Sequence, residues 1–259
     1  MMDKKYVIDT EENREFLKTM RNGILDFGHG FAAPDGSSYW LDTDGSPRPE
    51  EKRETFITGR MAHVYSMGCF LGHEGSRELA AAAIRGLRDG FLHDRVNGGW
   101  HDSIDRNGNP LTPKLCYAHA FVILAGTSAL LAGIPGAEEL LDEAMETYDR
   151  YFWDEEEGLS CDIWNTEFSE MDDYRGLNSN MHSTEAFLAV ADVLGKEEYR
   201  ERAGRIIVHV CRWAIDNGWR LPEHYKKDWT PDLDFHKNTP DDPLQIPTCR
   251  QFQAVSTAR

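Results

Sequence analysis

Along the chain, polar stretches rich in glycine and aromatic residues alternate with runs whose apolar positions recur at helical spacing. That spacing predicts helices over about 10–27, 54–71, 76–93, 113–132, 136–153, 180–194 and 196–217. Leu79, Ala82, Ala83 and Gly86 form one such stripe, and Leu140, Leu141, Ala144, Met145 and Tyr148 another. The polar stretches carry turn signals. Asp44-Gly45 and Asn107-Gly108 are hairpin dipeptides in which both residues favour positive φ, so short strand pairs are expected before the helices.

The alternation has a period of roughly 60 residues. One unit opens at Tyr39-Trp40 and the next at Gly98-Gly99-Trp100-His101-Asp102. A third opens at Gly158 and runs through Asp162 to Trp164, and a fourth opens at Gly218-Trp219 and reaches Glu223-His224-Tyr225. Each polar opening leads into a helix, and a second helix returns before the next unit. Helical hairpins stacked in this way make an all-α array, either a solenoid or a toroid, with the glycine-aromatic loops gathered at one mouth. Trp40, Trp100 and Trp164 are expected to pack those loops first and to offer stacking faces second. The fourth unit does not finish. Beyond Asp241-Asp242-Pro243 the pattern asks for a further helix, and residues 244–259 supply none of its Trp, His or acidic positions. This divergent tail reads as the mark of a truncated or frame-shifted chain, with residues 1–243 as one partial domain.

Composition narrows the partners. The 259 residues are 40% hydrophobic, 28% charged and 11% aromatic, with a formal net charge of −17. Such a chain suits a folded domain, and its field repels nucleic acid and anionic lipid. No apolar run is long enough for a membrane span, and the N-terminus lacks a secretory signal core. The five cysteines, Cys69, Cys116, Cys161, Cys211 and Cys249, are scattered and form no CxxC pair. They read as reduced thiols in a cytoplasmic protein. The histidines are too irregularly spaced for a zinc set, so no metal is expected.

Candidate chemistry centres on a few groups. Arg60 can donate a bidentate pair of hydrogen bonds, and His63 follows it on the same helix face. Tyr117 and His119 fall on different faces of their helix, so both are not expected to line one pocket. Asn178 is placed just before a helix, with Asn180 as its N-cap. His182 then falls in the first turn, kept neutral by the helix dipole and oriented by Glu185. Glu223 and His224 sit in the unfinished unit. The acidic run Asp154-Glu155-Glu156-Glu157 reads as a solvated loop.

Several ordered stretches carry a resemblance. They include Ile57-Thr58-Gly59-Arg60, Gly98-Gly99-Trp100, Tyr117-Ala118-His119-Ala120-Phe121 and Tyr151-Phe152-Trp153. The most specific is Arg175-Gly176-Leu177-Asn178-Ser179-Asn180-Met181-His182. Together they resemble the aldose–ketose isomerase branch of the N-acylglucosamine 2-epimerase superfamily. The resemblance implies an incomplete (α/α)6 barrel of about seven helices, with short β-hairpins in its loops. It implies a monosaccharide substrate, a mannose-type hexose or sulfoquinovose, and no cofactor. It favours Arg60, Tyr117, Asn178, His182, Glu223 and His224 as sugar contacts, with His182 in a supporting catalytic role. The family's proton-transferring histidine pair has no counterpart here, which puts activity of this chain in doubt. Self-association is expected through the apolar flanks of an opened ring.

Other readings stay open on sequence. The same barrel serves 2-epimerisation of N-acylglucosamine or cellobiose. An α/α-toroid glycoside hydrolase or lyase would need two opposed carboxylates; Asp102, Asp162, Glu167 and Glu185 are candidates, and no pair stands out. A non-catalytic sugar-binding fragment is the third.

Overall fold

The computed structural model describes residues 9–111 and 113–235. The tail expected at 244–259 lies outside them. Among the described residues there are seven α-helices. They are α1 (Glu11–Phe27), α2 (Thr55–Phe70), α3 (Ser76–Asp89), α4 (Cys116–Leu131), α5 (Ala137–Tyr151), α6 (Leu177–Leu194) and α7 (Glu197–Asp216).

Burial sorts them into two layers. Helix α4 packs between α2 and α6 to form an inner layer, while α3, α5 and α7 back α2, α4 and α6 from outside. The inner α4 is apolar on all sides, with residues from Cys116 to Ala129 buried almost without a break. The outer helices are amphipathic; α3 buries Ala80, Ala83, Ile84 and Leu87 and leaves its charged positions outward. Glycine sets the closest inner approach. A Cβ on Gly59 of α2 would lie 2.8 Å from the backbone oxygen of Phe121 on α4. This is the two-layered helical-hairpin architecture of an α/α toroid. Helix α1 stands at one flank with Phe16, Leu17, Met20 and Ile24 exposed, and α7 exposes Ile207, Val208 and Ile215. No described helix is long and apolar enough to cross a membrane.

The strands are two residues each and knit neighbouring units together. β3 (Arg53–Glu54) pairs antiparallel with β4 (Ser103–Ile104), β5 (Lys114–Leu115) with β8 (Ile163–Trp164), and β9 (Arg175–Gly176) with β10 (His224–Tyr225). β1 (Trp40–Leu41) with β2 (Pro47–Arg48), and β6 (Trp153–Asp154) with β7 (Leu159–Ser160), are local hairpins, and single bridges such as Ile104 with Pro110 close later loops locally too. The expected strand pairs exist, but three of the five ladders join one unit to the next.

The turns also differ from expectation. Gly45 and Gly108 have φ of 84° and 92°, whereas Asp44 and Asn107 do not adopt positive φ. Asp42 N–H donates to Ser46 O at 2.8 Å and Gly45 N–H to Asp42 O at 2.9 Å, a three-residue loop closed by a left-handed residue. Asp105 to Asn109 repeats that bonding. The left-handed position recurs in the later units with Phe168 (φ 54°) and Trp229 (φ 61°) in place of glycine. Packing holds these aromatics there: Phe168 is buried and stacks on Tyr151 at 3.9 Å.

Helix α6 starts earlier than its sequence suggests. Gly176 is its N-cap, Asn178 belongs to the first turn and His182 to the second. Asn180 is therefore not a cap. Its buried amide donates to Ser160 O and Gly176 O, and accepts from Ser160 N–H at 2.8 Å, binding the helix to β7.

Candidate functional site

All three inner helices begin at the same end, and none has a side-chain N-cap. Their first backbone donors are satisfied across the unit boundary instead. Thr55 N–H donates to Asp102 O at 2.9 Å, Cys116 N–H to Asp162 O at 2.8 Å and Leu177 N–H to Glu223 O at 3.0 Å. An acidic residue of each following loop is thus fixed at the mouth, at intervals of roughly 60 residues.

Within the inner layer, side chains from α2, α4 and α6 meet. Arg60 Nη2 donates to Tyr117 Oη at 3.0 Å. Its guanidinium lies 4.5 Å from the Phe121 ring centre and 5.2 Å from that of Phe56. The His182 ring stands edge-on to Tyr117 at 5.1 Å and tilted against Phe121 at 4.7 Å. His182 Nδ1 lies 3.0 Å from Glu185 Oε2. Arg60, Tyr117 and His182 are thereby drawn into one contact chain across three helices.

Asn178 precedes His182 by one turn on the same face. Its backbone N–H donates to the Glu223 carboxylate, so these two residues also meet. His224 takes other partners: its Nδ1 lies 2.9 Å from Tyr174 Oη and its ring stacks on Phe235 at 4.3 Å. His63, three residues beyond Arg60, reaches Ser128 Oγ at 2.6 Å and is half-buried between α2 and α4. His119 belongs to the core. It is fully buried, accepts from Trp100 N–H at 3.1 Å and meets Leu115 O through Nδ1 at 2.7 Å. Its imidazole is locked as the Nδ1–H tautomer.

Electrostatics keep the mouth imidazoles neutral. Burial lowers the pKa of His182 against the opposing pull of Glu185, and burial lowers that of His63. For His182 the cause is burial, since the ring stands beyond the first turn where the dipole acts. Burial drives His119 down to about 3. Tyr117 is raised by burial, with Arg60 pulling it back and Asp102 and Glu54 pushing it up. Two carboxyls move toward neutrality. Burial carries Glu223 up to about 7 and Asp162 up to about 7, although Asp162 accepts from Gly176 N–H at 2.8 Å and from the Ser179 hydroxyl. A guanidinium, a phenol, the neutral imidazole of His182 and the Glu223 carboxyl on one rim suit polyhydroxylated ligands and proton exchange beside a carbonyl.

Two of the four acids named for a hydrolase, Asp162 and Glu185, are otherwise engaged. Asp162 accepts from Gly176 N–H ahead of α6, and Glu185 holds His182. Glu155, in the acidic run, accepts from Trp153 Nε1 at 2.6 Å and pairs with Arg205, so it anchors α7 as well as facing solvent. Of the tryptophans, Trp100 is fully buried with its indole N–H on Leu87 O, and Trp40 is 40% exposed. Phe56 and Phe121 went unrecognised in sequence as part of the rim. Each lies four residues from a candidate, Arg60 or Tyr117, on the same helix face, and that spacing was the available signal.

Comparison with known proteins identifies the family and the fold. The family model described as N-acylglucosamine 2-epimerase (GlcNAc 2-epimerase) matches residues 36–248. A D-mannose isomerase of Thermobifida fusca is 39% identical over 226 residues, which cover 86% of this chain and 55% of that protein. A crystal structure of D-mannose isomerase superposes with a TM-score of 0.81 at 26% identity, covering 92% of this chain and 61% of that one. The cellobiose 2-epimerase of Spirochaeta thermophila shares the fold, with a TM-score of 0.72 at 23% identity, covering 86% of this chain and 61% of that one. The chain spans about half the length of the curated relatives it matches. With the family model aligned to most of its length and the matching inner-helix layer in place, this chain belongs to the N-acylglucosamine 2-epimerase family.

Proposed function

We propose that this chain supplies a sugar-gripping part of an aldose–ketose isomerase acting on a mannose-type hexose, with sulfoquinovose as the alternative substrate. The observation that carries the reading is the contact chain of Arg60, Tyr117 and His182 across three inner helices. The relatives named D-mannose isomerase support the substrate class. Isomerisation moves a proton between C2 and C1 through a cis-enediol(ate), which requires hydroxyl groups held still and a developing oxyanion stabilised. Arg60 and Tyr117 donate to sugar oxygens, and Asn178, Glu223 and His224 extend the grip. His182, neutral and held by Glu185, acts as the supporting imidazole near the reacting carbons.

In this reading the 259-residue chain alone binds sugar and does not turn it over, because His182 supports rather than carries the proton transfer. The self-association expected of an open edge belongs to the same proposal; the exposed stripe on α1 is the face it would cover.

Binding of mannose is measured by NMR titration, and turnover by product and by deuterium incorporation at C2 in heavy water. The expected result is saturable binding, weakened about tenfold or more in Arg60→Ala and His182→Ala, without exchange. Absence of binding in the wild type overturns the grip, and exchange by the chain alone overturns the supporting role. Appearance of glucose instead of fructose would favour the 2-epimerase reading.

A further inference from the structure

At the end of the inner layer opposite the mouth, three metal-ligating side chains converge that play no part in the sugar site. Asp26 lies in the last turn of α1, His29 just beyond that helix, and His73 in the turn between α2 and α3. Their ligand atoms all lie within 4.8 Å of one another. His73 Nε2 stands 3.0 Å from Asp26 Oδ1, and His29 Nε2 stands 3.9 Å from the same oxygen. Tetrahedral zinc with bonds near 2.0–2.1 Å needs ligand atoms about 3.3 Å apart. The two separations from Asp26 Oδ1 bracket that value, and the ligand atoms of the two imidazoles lie within 4.8 Å of each other.

Three further features favour a cation here. First, His73 is already oriented. Its side chain is 6% exposed, and Nδ1 is held by Ser76 Oγ at 2.9 Å, which leaves Nε2 facing Asp26. A hydrogen bond on the far nitrogen is how metal-binding imidazoles are usually fixed. Second, two glycines keep this support in place. A Cβ on Gly68 would fall 2.3 Å from Ser76 Oγ, and Gly75 turns the chain at φ 77° beside the His29 ring. Third, α1 and α2 both end near this point, and neither has a basic residue in its last turn. The partial negative charge of two helix C-termini, with Asp26, therefore meets no cationic side chain of those turns.

We propose that Asp26, His29 and His73 bind a divalent transition-metal ion of the zinc class, with water completing the tetrahedron, and that this ion clips α1 to the α2–α3 turn. The role is structural. The ion sits away from the sugar-facing rim, and its ligands come from segments also tied nearby by the Tyr65 hydroxyl on Leu25 O. The spacing hides it in sequence, because two ligands lie three residues apart and the third arrives only after a helix.

The test uses the full chain, stripped with chelator and kept reduced, titrated with zinc by calorimetry and with cobalt(II) by visible absorption. One-to-one zinc binding and a tetrahedral cobalt band are expected. His29→Ala and Asp26→Asn should abolish both, and these positions are 44% and 65% exposed, so the variants keep the fold. Ser76→Ala should weaken zinc about tenfold or more by releasing His73. Zinc should raise the thermal midpoint of wild type and leave that of His29→Ala unchanged. No saturable zinc binding, or binding of equal affinity in His29→Ala and Asp26→Asn, would overturn the proposal.

Discussion

Asp162 offers the sharpest test of how the mouth is held. The residue is 4% exposed, and burial moves its carboxyl from 3.8 to about 7. Each pKa unit corresponds to about 1.4 kcal/mol between the two states, so the shift is worth about 4 kcal/mol. The sign follows from proton counts. Between about 4 and 7 the folded chain keeps a proton that the unfolded chain has released, so this group lowers stability as pH rises. Its penalty is absent below the unfolded pKa and complete above the folded one. Asp162→Asn removes the ionisation while keeping an oxygen to accept from Gly176 N–H. Buried His119, driven down to about 3, acts in the opposite sense over much of the same range, so the raw curve is not the readout. The readout is the difference in unfolding free energy between variant and wild type, from urea denaturation at several pH values. That difference should move in favour of the variant by about 4 kcal/mol from about pH 4 to about pH 8. A difference constant across the window would refute the buried, proton-holding Asp162 described above.

Two further substitutions separate core from site. His119→Leu strands the Trp100 N–H and the Leu115 carbonyl, and should cost about 2–4 kcal/mol in urea unfolding. Mannose affinity of the folded fraction should stay unchanged; a selective loss of binding would return His119 to the pocket. Gly59→Ala drives a methyl to 2.8 Å from Phe121 O and should cost about 1–3 kcal/mol. Because Phe121 carries the Arg60 guanidinium and touches His182, that variant should also bind mannose more weakly, as NMR titration would show.

Much of this architecture was readable along the chain. The outer helices announced themselves through stripes such as Leu140, Leu141, Ala144, Met145 and Tyr148, because only one face of each is buried. The inner helices show the same spacing less sharply, since α4 is buried all round and keeps no polar face to contrast with it. The start of α6 is hidden in sequence: its first turn, Leu177-Asn178-Ser179, is polar enough to pass for a loop, and its starting signal is a carbonyl from Glu223 far along the chain. The turn dipeptides mark local closures, since Asp44-Gly45 joins β1 to β2 and Asn107-Gly108 lies in the loop bridged by Ile104 and Pro110, but β4, β8 and β10 also pair with the preceding unit, which no dipeptide signals. Phe168 and Trp229 occupy left-handed positions that local propensity assigns to glycine, and only tertiary packing makes them tolerable. At the rim, the specific run ending in His182 lies on α6, whereas Phe56 and Phe121 are marked in sequence only by their spacing from Arg60 and Tyr117.

The borrowed start of each inner helix has a practical consequence for anyone recombining such proteins. A helix grafted with its own preceding loop would arrive without the carbonyl that initiates it, and its ligand-facing turn would fray. Crossovers belong on the far side, at Gly72, Gly133 or Gly195, where left-handed glycines end one helix before the next begins. A chimera joined there should keep each rim turn with the neighbour that completes it.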